Sequence, residues 1–307
     1  MDRLAYFFLR ILIQIVSILP FAVLYRLSDV FCFLCYHVVH YRRKVVYENL
    51  KSSFPEKGED ERKKIEKEFY HWFCDVILES VKAYNMTVEQ LNERMHYENL
   101  ELIRKYVTEG KSIFLDMAHT GSWEWVPNIY LTHFPDIVGA ELYRHVSNKY
   151  LDAFLLKSRE RFKTLVIPKD KAVFPLARIH KAQKIFAIGL LADQTPSRAN
   201  LHFWTDFMHH DTAFLQGPER LAKMFKAAVV YLDFRREGRG HYVCKFVDIT
   251  GDASAEEDGF VTKRYAQLLE NSICQNPPIW FWTHRRWKYN HEEIEREEAE
   301  KKNKKVV

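Results

Sequence analysis

Apolar positions change their spacing along this 307-residue chain, and the changes divide it. From Leu4 to Leu24 the sequence is nearly continuous Leu, Ile, Phe, Val and Tyr, interrupted by Arg10, Gln14, Ser17 and Pro20. A second apolar stretch, Val30 to Val39, precedes the basic cluster Arg42-Arg43-Lys44. The first stretch is about long enough to span a bilayer. Arg10 near its middle works against that, since a central arginine costs at least ~2.5 kcal/mol. Pro20 and the polar step Arg26-Leu27-Ser28-Asp29 predict two segments meeting at a bend. Three readings stand: one short span, a helical hairpin lying in the interface, or a buried helix pair. No small-residue cleavage site of the secretory type appears, so no removed signal peptide is expected. The basic cluster favours a cytoplasmic location for the residues after it.

Asp60 to Ala83 is charged first and apolar later, with Phe69, Trp72, Phe73, Val76 and Ile77 at helical spacing. Glu98–Glu109 reads as a helix stopped by Gly110. Then the period alternates. Strands are predicted over Ser112–Ala118, Ile137–Tyr143, Thr164–Ile167 and Ile185–Ala192. Helices are predicted between them, over Trp123–Leu131, Asn148–Phe162 and Lys171–Lys181. Such alternation predicts an α/β fold, a mainly parallel central sheet covered by helices. Beyond it come a helix over Gly217–Phe225, a hairpin of Ala228–Phe234 with Tyr242–Val247, and a helix over Lys263–Cys274. No repeat or linker separates two domains. The expected division is a membrane-associating segment 1–40, one domain 41–290, and a charged tail 291–307 that is solvated or fraying.

Apolar content of 47% and aromatic content of 15% exclude a disordered chain. The net charge of +5 is too mild to indicate nucleic acid and suits an anionic surface or substrate. Five cysteines without regular spacing argue against a disulfide framework. Cys32-Phe33-Leu34-Cys35 lies in apolar sequence with no second Cys/His pair nearby, so packing is its expected role.

Candidate chemistry collects at strand ends. After Ile113–Ala118 comes His119-Thr120-Gly121-Ser122-Trp123-Glu124, a histidine, a Gly-Ser turn and a carboxylate five positions on. On one regular helix five residues turn about 140°, so the pair would not share a face. Across a strand–turn–helix junction Glu124 can fold back onto the imidazole, hold its tautomer and leave the other nitrogen free as a general base. Open parallel sheets gather their chemistry beyond the carboxyl ends of the strands. His119, Arg144 and the pair Asp193-Gln194 each follow a predicted strand and would share that edge. His209-His210-Asp211 could be a metal cluster, but no metal site is predicted.

With these residues in place, the chain resembles the late acyltransferases of lipid A biosynthesis, the lauroyl/myristoyl transferase family. That family lies within the glycerolipid acyltransferases marked by H-x4-D/E. The matching pieces run from about Tyr41 to Lys288: Tyr41-Arg42-Arg43-Lys44, Asn49-Leu50, Phe54-Pro55, His119 through Trp125 and Tyr143 through Asn148. They continue through Arg159-Glu160-Arg161-Phe162, Ala192-Asp193-Gln194, Gly217 through Ala222 and Pro278 through Lys288. One departure stands out. Where the family carries a Phe-Phe-Gly-type segment, this chain reads Phe203-Trp204-Thr205-Asp206-Phe207-Met208-His209-His210-Asp211-Thr212.

The resemblance implies a membrane-associated acyltransferase with His119 as base and Glu124 as its orienting partner. Arg144, Asn148, Arg159, Asp193 and Gln194 are the expected substrate-binding residues. Arg144 and Arg159 suit a phosphate or carboxylate on the acceptor, or Arg144 could serve a tetrahedral oxyanion. Trp280-Phe281-Trp282 is expected to close the core, while His284-Arg285-Arg286 and Lys288 could meet anionic head groups or simply be solvated. No cofactor is expected beyond an acyl co-substrate. The implied donor is acyl carrier protein and the implied acceptor a lipid A precursor, at the cytoplasmic face of the inner membrane. Other readings are acyl-CoA as donor, another glycolipid or aminolipid as acceptor, or an inactive membrane-anchored lipid-binding protein.

Overall fold

The computed structural model describes residues 3–143, 148, 149, 152, 153, 156, 159 and 161–297. Arg144 lies outside the described residues, as do most of the expected helix Asn148–Phe162 and the last ten positions of the charged tail. At the centre is a seven-stranded sheet in the order β1-β9-β8-β2-β5-β3-β4. The strands are β1 (Met95–Glu98), β2 (Ile113–Met117), β3 (Val138–Tyr143), β4 (Leu165–Pro168), β5 (Phe186–Leu191), β8 (Ala228–Gly238) and β9 (His241–Thr250). Every neighbouring pair is parallel except the β8–β9 hairpin. All five residues of β2 are buried, as its place in the middle of the sheet requires. The expected α/β architecture is present.

Two elements escape periodicity. β1 is only four residues long and follows a short helix, Val88–Arg94, whose capping box joins Thr87 and Gln90. A separate hairpin pairs β6 (Phe203–Phe207) with β7 (His210–Phe214). Its turn residues Met208 and His209 both have positive φ, the conformation that normally announces itself with Asn or Gly. The chain therefore turns where no turn residue marks it. A third difference lies after β2, where a regular helix is expected over Trp123–Leu131. Pro127 sits inside a 3-10 segment, Trp123–Asn128, and only one α-helical turn, Ile129–Thr132, comes after it.

At the N-terminus, α1 (Arg3–Ile18) and α2 (Phe21–Phe33) meet at extended Pro20, and α2 runs into a π-helical turn, Leu34–Val38. The bend is where Pro20 puts it. The step Arg26–Asp29 does not interrupt α2, because Ser28 finds the buried Asp75 at 2.7 Å and Asp29 finds Arg239 at 2.6 Å. Among the described residues, the helical segment long and apolar enough to cross a membrane is thus Phe21–Val38 rather than Leu4–Leu24.

Next come α3 (Arg43–Ser53) and α4 (Glu59–Lys82). Glu59, Asp60 and Glu61 complement the positive end of α4, and its apolar face buries Phe69, Trp72, Phe73 and Val76. Arg42 and Arg43 are not free charges: Arg42 donates to the Thr283 carbonyl, and Arg43 pairs with Glu66 and lies over the Tyr36 ring. At the other end, residues 291–297 are helical and not simply solvated. His291 stacks on Trp204 and bonds Asp211, and Ile294 packs beside Leu201 and Ala213.

Phe114 of β2, the central strand of the sheet, is fully buried and meets Phe186 edge-on. Phe114→Ala should cost about 3–5 kcal/mol of unfolding free energy, measured by denaturant titration. A loss below ~1 kcal/mol would mean that the sheet centre repacks freely.

Candidate active site

β2 and β5 are parallel neighbours with Met117 opposite Leu191. Two residues further along each chain, that register brings His119 level with Asp193. One carboxylate then serves the histidine twice. Asp193 Oδ2 accepts the His119 backbone N–H at 3.1 Å, and Oδ1 lies 2.7 Å from ring Nδ1. The indole of Trp280 donates to Oδ2 at 2.9 Å, so the buried carboxylate has three donors. This arrangement corrects the expectation that Glu124 holds the imidazole. Gly121 at φ 56° turns the chain sharply, and the 3-10 segment beginning at Trp123 directs Glu124 elsewhere. A Cβ on Gly121 would come within 2.6 Å of the Phe234 ring, so the turn requires glycine for both φ and space.

Glu124 instead faces Arg159, Oε1 to Nη2 at 3.4 Å. Arg159 also reaches Glu141, whose other oxygen accepts from Thr164. Burial pushes the Glu141 carboxyl up to about 7, against the opposing pull of Arg159. Gln194 approaches the outer ring nitrogen of His119, Nε2 to Nε2 at 3.4 Å. Asn148 accepts the Asp152 backbone N–H through its carbonyl, at the start of a helical turn. Of the expected site residues, the structure therefore joins His119, Asp193 and Gln194 directly. It places Glu124 and Arg159 together in a second cluster.

Beside both clusters opens a cavity of about 660 Å³. Gln194, Trp123, Glu124, Arg159 and Lys169 supply its polar and aromatic wall. Met117, Val126, Tyr130, Leu190, Leu215 and Leu221 supply much of its apolar wall. That size suits a small-molecule or chain-binding site. Among the described residues no group of three or more His, Cys, Asp and Glu is placed to hold a metal ion.

The Trp280–Trp282 segment closes the core as expected, but it also builds the site. Phe281 and Trp123 pack on the His119 ring, with centroids at 5.7 and 5.1 Å. Thr120 bridges to Trp280. His284 and Arg286 are not available to head groups. His284 Nε2 accepts the Thr195 backbone N–H, while buried Arg286 donates to the Ala213 carbonyl and lies over the Phe214 ring. Trp280 is a residue of the candidate site that sequence reasoning assigned to packing alone. An indole within a tryptophan-rich closing segment gives no sign of its distant acceptor.

The family profile described as bacterial lipid A biosynthesis acyltransferase matches residues 2–289. The chain belongs to this family. It is also similar to a lipid A biosynthesis acyltransferase of Haemophilus influenzae, with 24% identity over 275 residues, covering 88% of this chain and 86% of that protein. The protein is accordingly an acyltransferase of lipid A biosynthesis.

In this acyltransferase the two halves of the buried pair support each other's charge. Burial disfavours the imidazolium, yet the Asp193 charge and hydrogen bond hold its pKa above the usual 6.5. Burial likewise opposes the Asp193 carboxylate, and His119 and Trp280 keep its pKa below the usual 3.8. His119, raised in the folded state, contributes stability that is full below about pH 6.5 and lost as pH rises through its folded value. Asp193, depressed, contributes stability above about pH 3.9 that is lost as pH falls through its folded value. The pair thus stabilises most between those limits. Asp193→Asn should lower the His119 pKa, because burial then acts with less opposition; NMR titration of the ring measures it. An unchanged value would mean that another charge sets it. Glu124→Gln, which leaves the hydrogen bond intact, should shift it less.

Proposed function

We propose that this protein transfers a fatty acyl chain from acyl carrier protein to a hydroxyl of a lipid A precursor, at the cytoplasmic face of the inner membrane. The observation that carries the mechanism is the His119–Asp193 pair. Nδ1 is committed to the carboxylate, which leaves Nε2 as a base beside Gln194, a residue of the cavity wall. Nε2 takes the acceptor's hydroxyl proton as its oxygen attacks the thioester carbonyl. The tetrahedral intermediate collapses with cleavage of the C–S bond, and the imidazolium returns that proton to the departing thiolate. Asp193 stabilises the imidazolium between the two transfers. Glu124 also raises the His119 pKa by its charge, so it adds to this stabilisation without touching the ring.

The apolar wall of the cavity suits the hydrocarbon chain, which gains by leaving water. The polar wall suits the reacting carbonyl and the acceptor. Arg159 is already shared between Glu124 and Glu141, so an anionic acceptor would have to compete for it. The sequence assigns the acceptor's anionic group to Arg144 as well. Acyl carrier protein as donor and the lipid A precursor as acceptor rest on family membership. Attachment to the membrane rests on the apolar helices α1 and α2.

His119→Ala should lower kcat by a factor of at least ~10² in a folded protein. The assay is thioester consumption with and without acceptor, using acyl carrier protein and coenzyme A thioesters in parallel. Near-normal turnover in His119→Ala would remove the mechanism, and acceptor-independent consumption would remove the transfer. If Arg144 binds the acceptor in ground and transition states alike, Arg144→Lys should chiefly raise KM for acceptor. A pure kcat defect would move it to the reacting centre.

A further inference from the structure

The helix long enough to cross a bilayer is bonded along one face to the catalytic domain. Leu24 is fully buried, and Tyr25 donates its hydroxyl to Glu79 at 3.0 Å. Ser28 donates to Asp75 at 2.7 Å. Arg239, from the β8–β9 turn, reaches the Tyr25 carbonyl, Asp29 and Asp75 together, at 3.1, 2.6 and 2.7 Å. α1 is fastened to the end of α4 and the turn after it: Lys82 donates to the Ser17 carbonyl at 2.9 Å and Asn85 to the Ser17 hydroxyl at 2.6 Å.

These bonds fix what lies beside α2. Lys67 and His71 of α4 and Asp29 of α2 line one groove with Phe33, Tyr36 and His37. If Phe21–Val38 crossed a bilayer, those charged side chains and the β8–β9 turn would be carried to the depth of the hydrocarbon. Charges are costly there, and strand ends and turns find no hydrogen-bond partners.

The outward face of the same helices is apolar. On α2 and its π-helical extension, Val23, Leu27, Val30, Phe33, Leu34 and Val38 are exposed at spacings of three and four residues, Val30 and Phe33 each by 58%. On α1, Phe7, Phe8, Ile11, Leu12 and Ile15 are exposed in the same way. An apolar face opposite a polar, docked one is the pattern of a helix lying in the interface. Arg10, Arg26 and Lys44 are exposed along these elements, and cations there favour an anionic leaflet.

We propose that α1 and α2 form a docking surface for a single leaflet of the bilayer: the pair lies in that leaflet, clasped to the catalytic domain by Arg239, and neither helix crosses. This rests on the membrane-associated reading of the proposed function and fixes its topology. The clasp holds the domain in one orientation against the lipid surface, on the side where both ends of the helical pair emerge.

The test uses the full chain in spheroplasts treated with a membrane-impermeant thiol reagent. Ile18→Cys places a reporter at the exposed end of α1, where a crossing α2 would emerge. The native, exposed Cys274 reports the side of the domain. The expected result is protein in the membrane pellet, with Cys274 labelled only after permeabilisation and the residue-18 thiol unlabelled from outside. Labelling of residue 18 from outside, with Cys274 protected, would overturn the non-crossing topology and leave membrane association standing. Protein in the soluble fraction would remove membrane association itself. As a second measurement, Val30→Asp/Phe33→Asp should lose at least tenfold in binding to phosphatidylglycerol-containing vesicles while its thermal unfolding stays cooperative. Undiminished binding would mean that another surface meets the lipid.

Discussion

The candidate active site depends on one constraint, the register between two parallel strands. With Met117 opposite Leu191, the chains leaving β2 and β5 place a histidine and an aspartate side by side. The aspartate then binds both the backbone and the ring of that histidine. A shift of one residue would turn every side chain of β2 to the opposite face and take His119 away from its partner. The burial of all of β2 makes such a shift costly, so the same apolar packing that holds the sheet together also fixes the position of His119.

A buried carboxylate is stable only when its lone pairs are satisfied and its charge is answered. Asp193 meets both needs through distant parts of the chain, His119 and Trp280. The segment carrying Trp280 is itself fastened from two sides. Asn49 donates to the carbonyls of Trp282 and His284, and Thr195 bonds the carbonyls of Arg285 and Arg286. The first helix after the apolar segment, α3, thus supports the His119–Asp193 pair through a strap from the end of the chain.

A similar logic governs the N-terminal helices. Their composition alone is compatible with crossing a membrane, lying on one or packing in a core. Polar side chains on one face of α2 find partners in α4 and at the β8–β9 turn, and the apolar face is left outward. Arg42 and Arg43, which read as a flanking basic cluster, are committed to a backbone carbonyl and to Glu66. Arg43 is the half-buried member of that cluster, while Arg42 and Lys44 stay exposed.

Much of this was legible in the chain itself. Short apolar runs alternating with helical stretches located β2, β3, β5, β8 and β9, and helical spacing located α4. The rule that chemistry gathers beyond strand ends picked out His119 and the Asp193-Gln194 pair. Short-range reasoning failed where the deciding interaction was long-range. Five residues separate His119 from Glu124, so sequence proximity favoured that pairing, but the 3-10 turn and strand register gave the histidine to a carboxylate 74 positions away. The β6–β7 hairpin was invisible because Met208 and His209 take positive φ without glycine. The sequence by itself determined the alternation of elements, the candidate base and the acyltransferase family, since these rest on local periodicity and local motifs. Only the tertiary structure decided which carboxylate holds the imidazole and which face of the apolar helices is left to the solvent or the lipid. Those choices depend on strand register and on neighbours that no local pattern encodes.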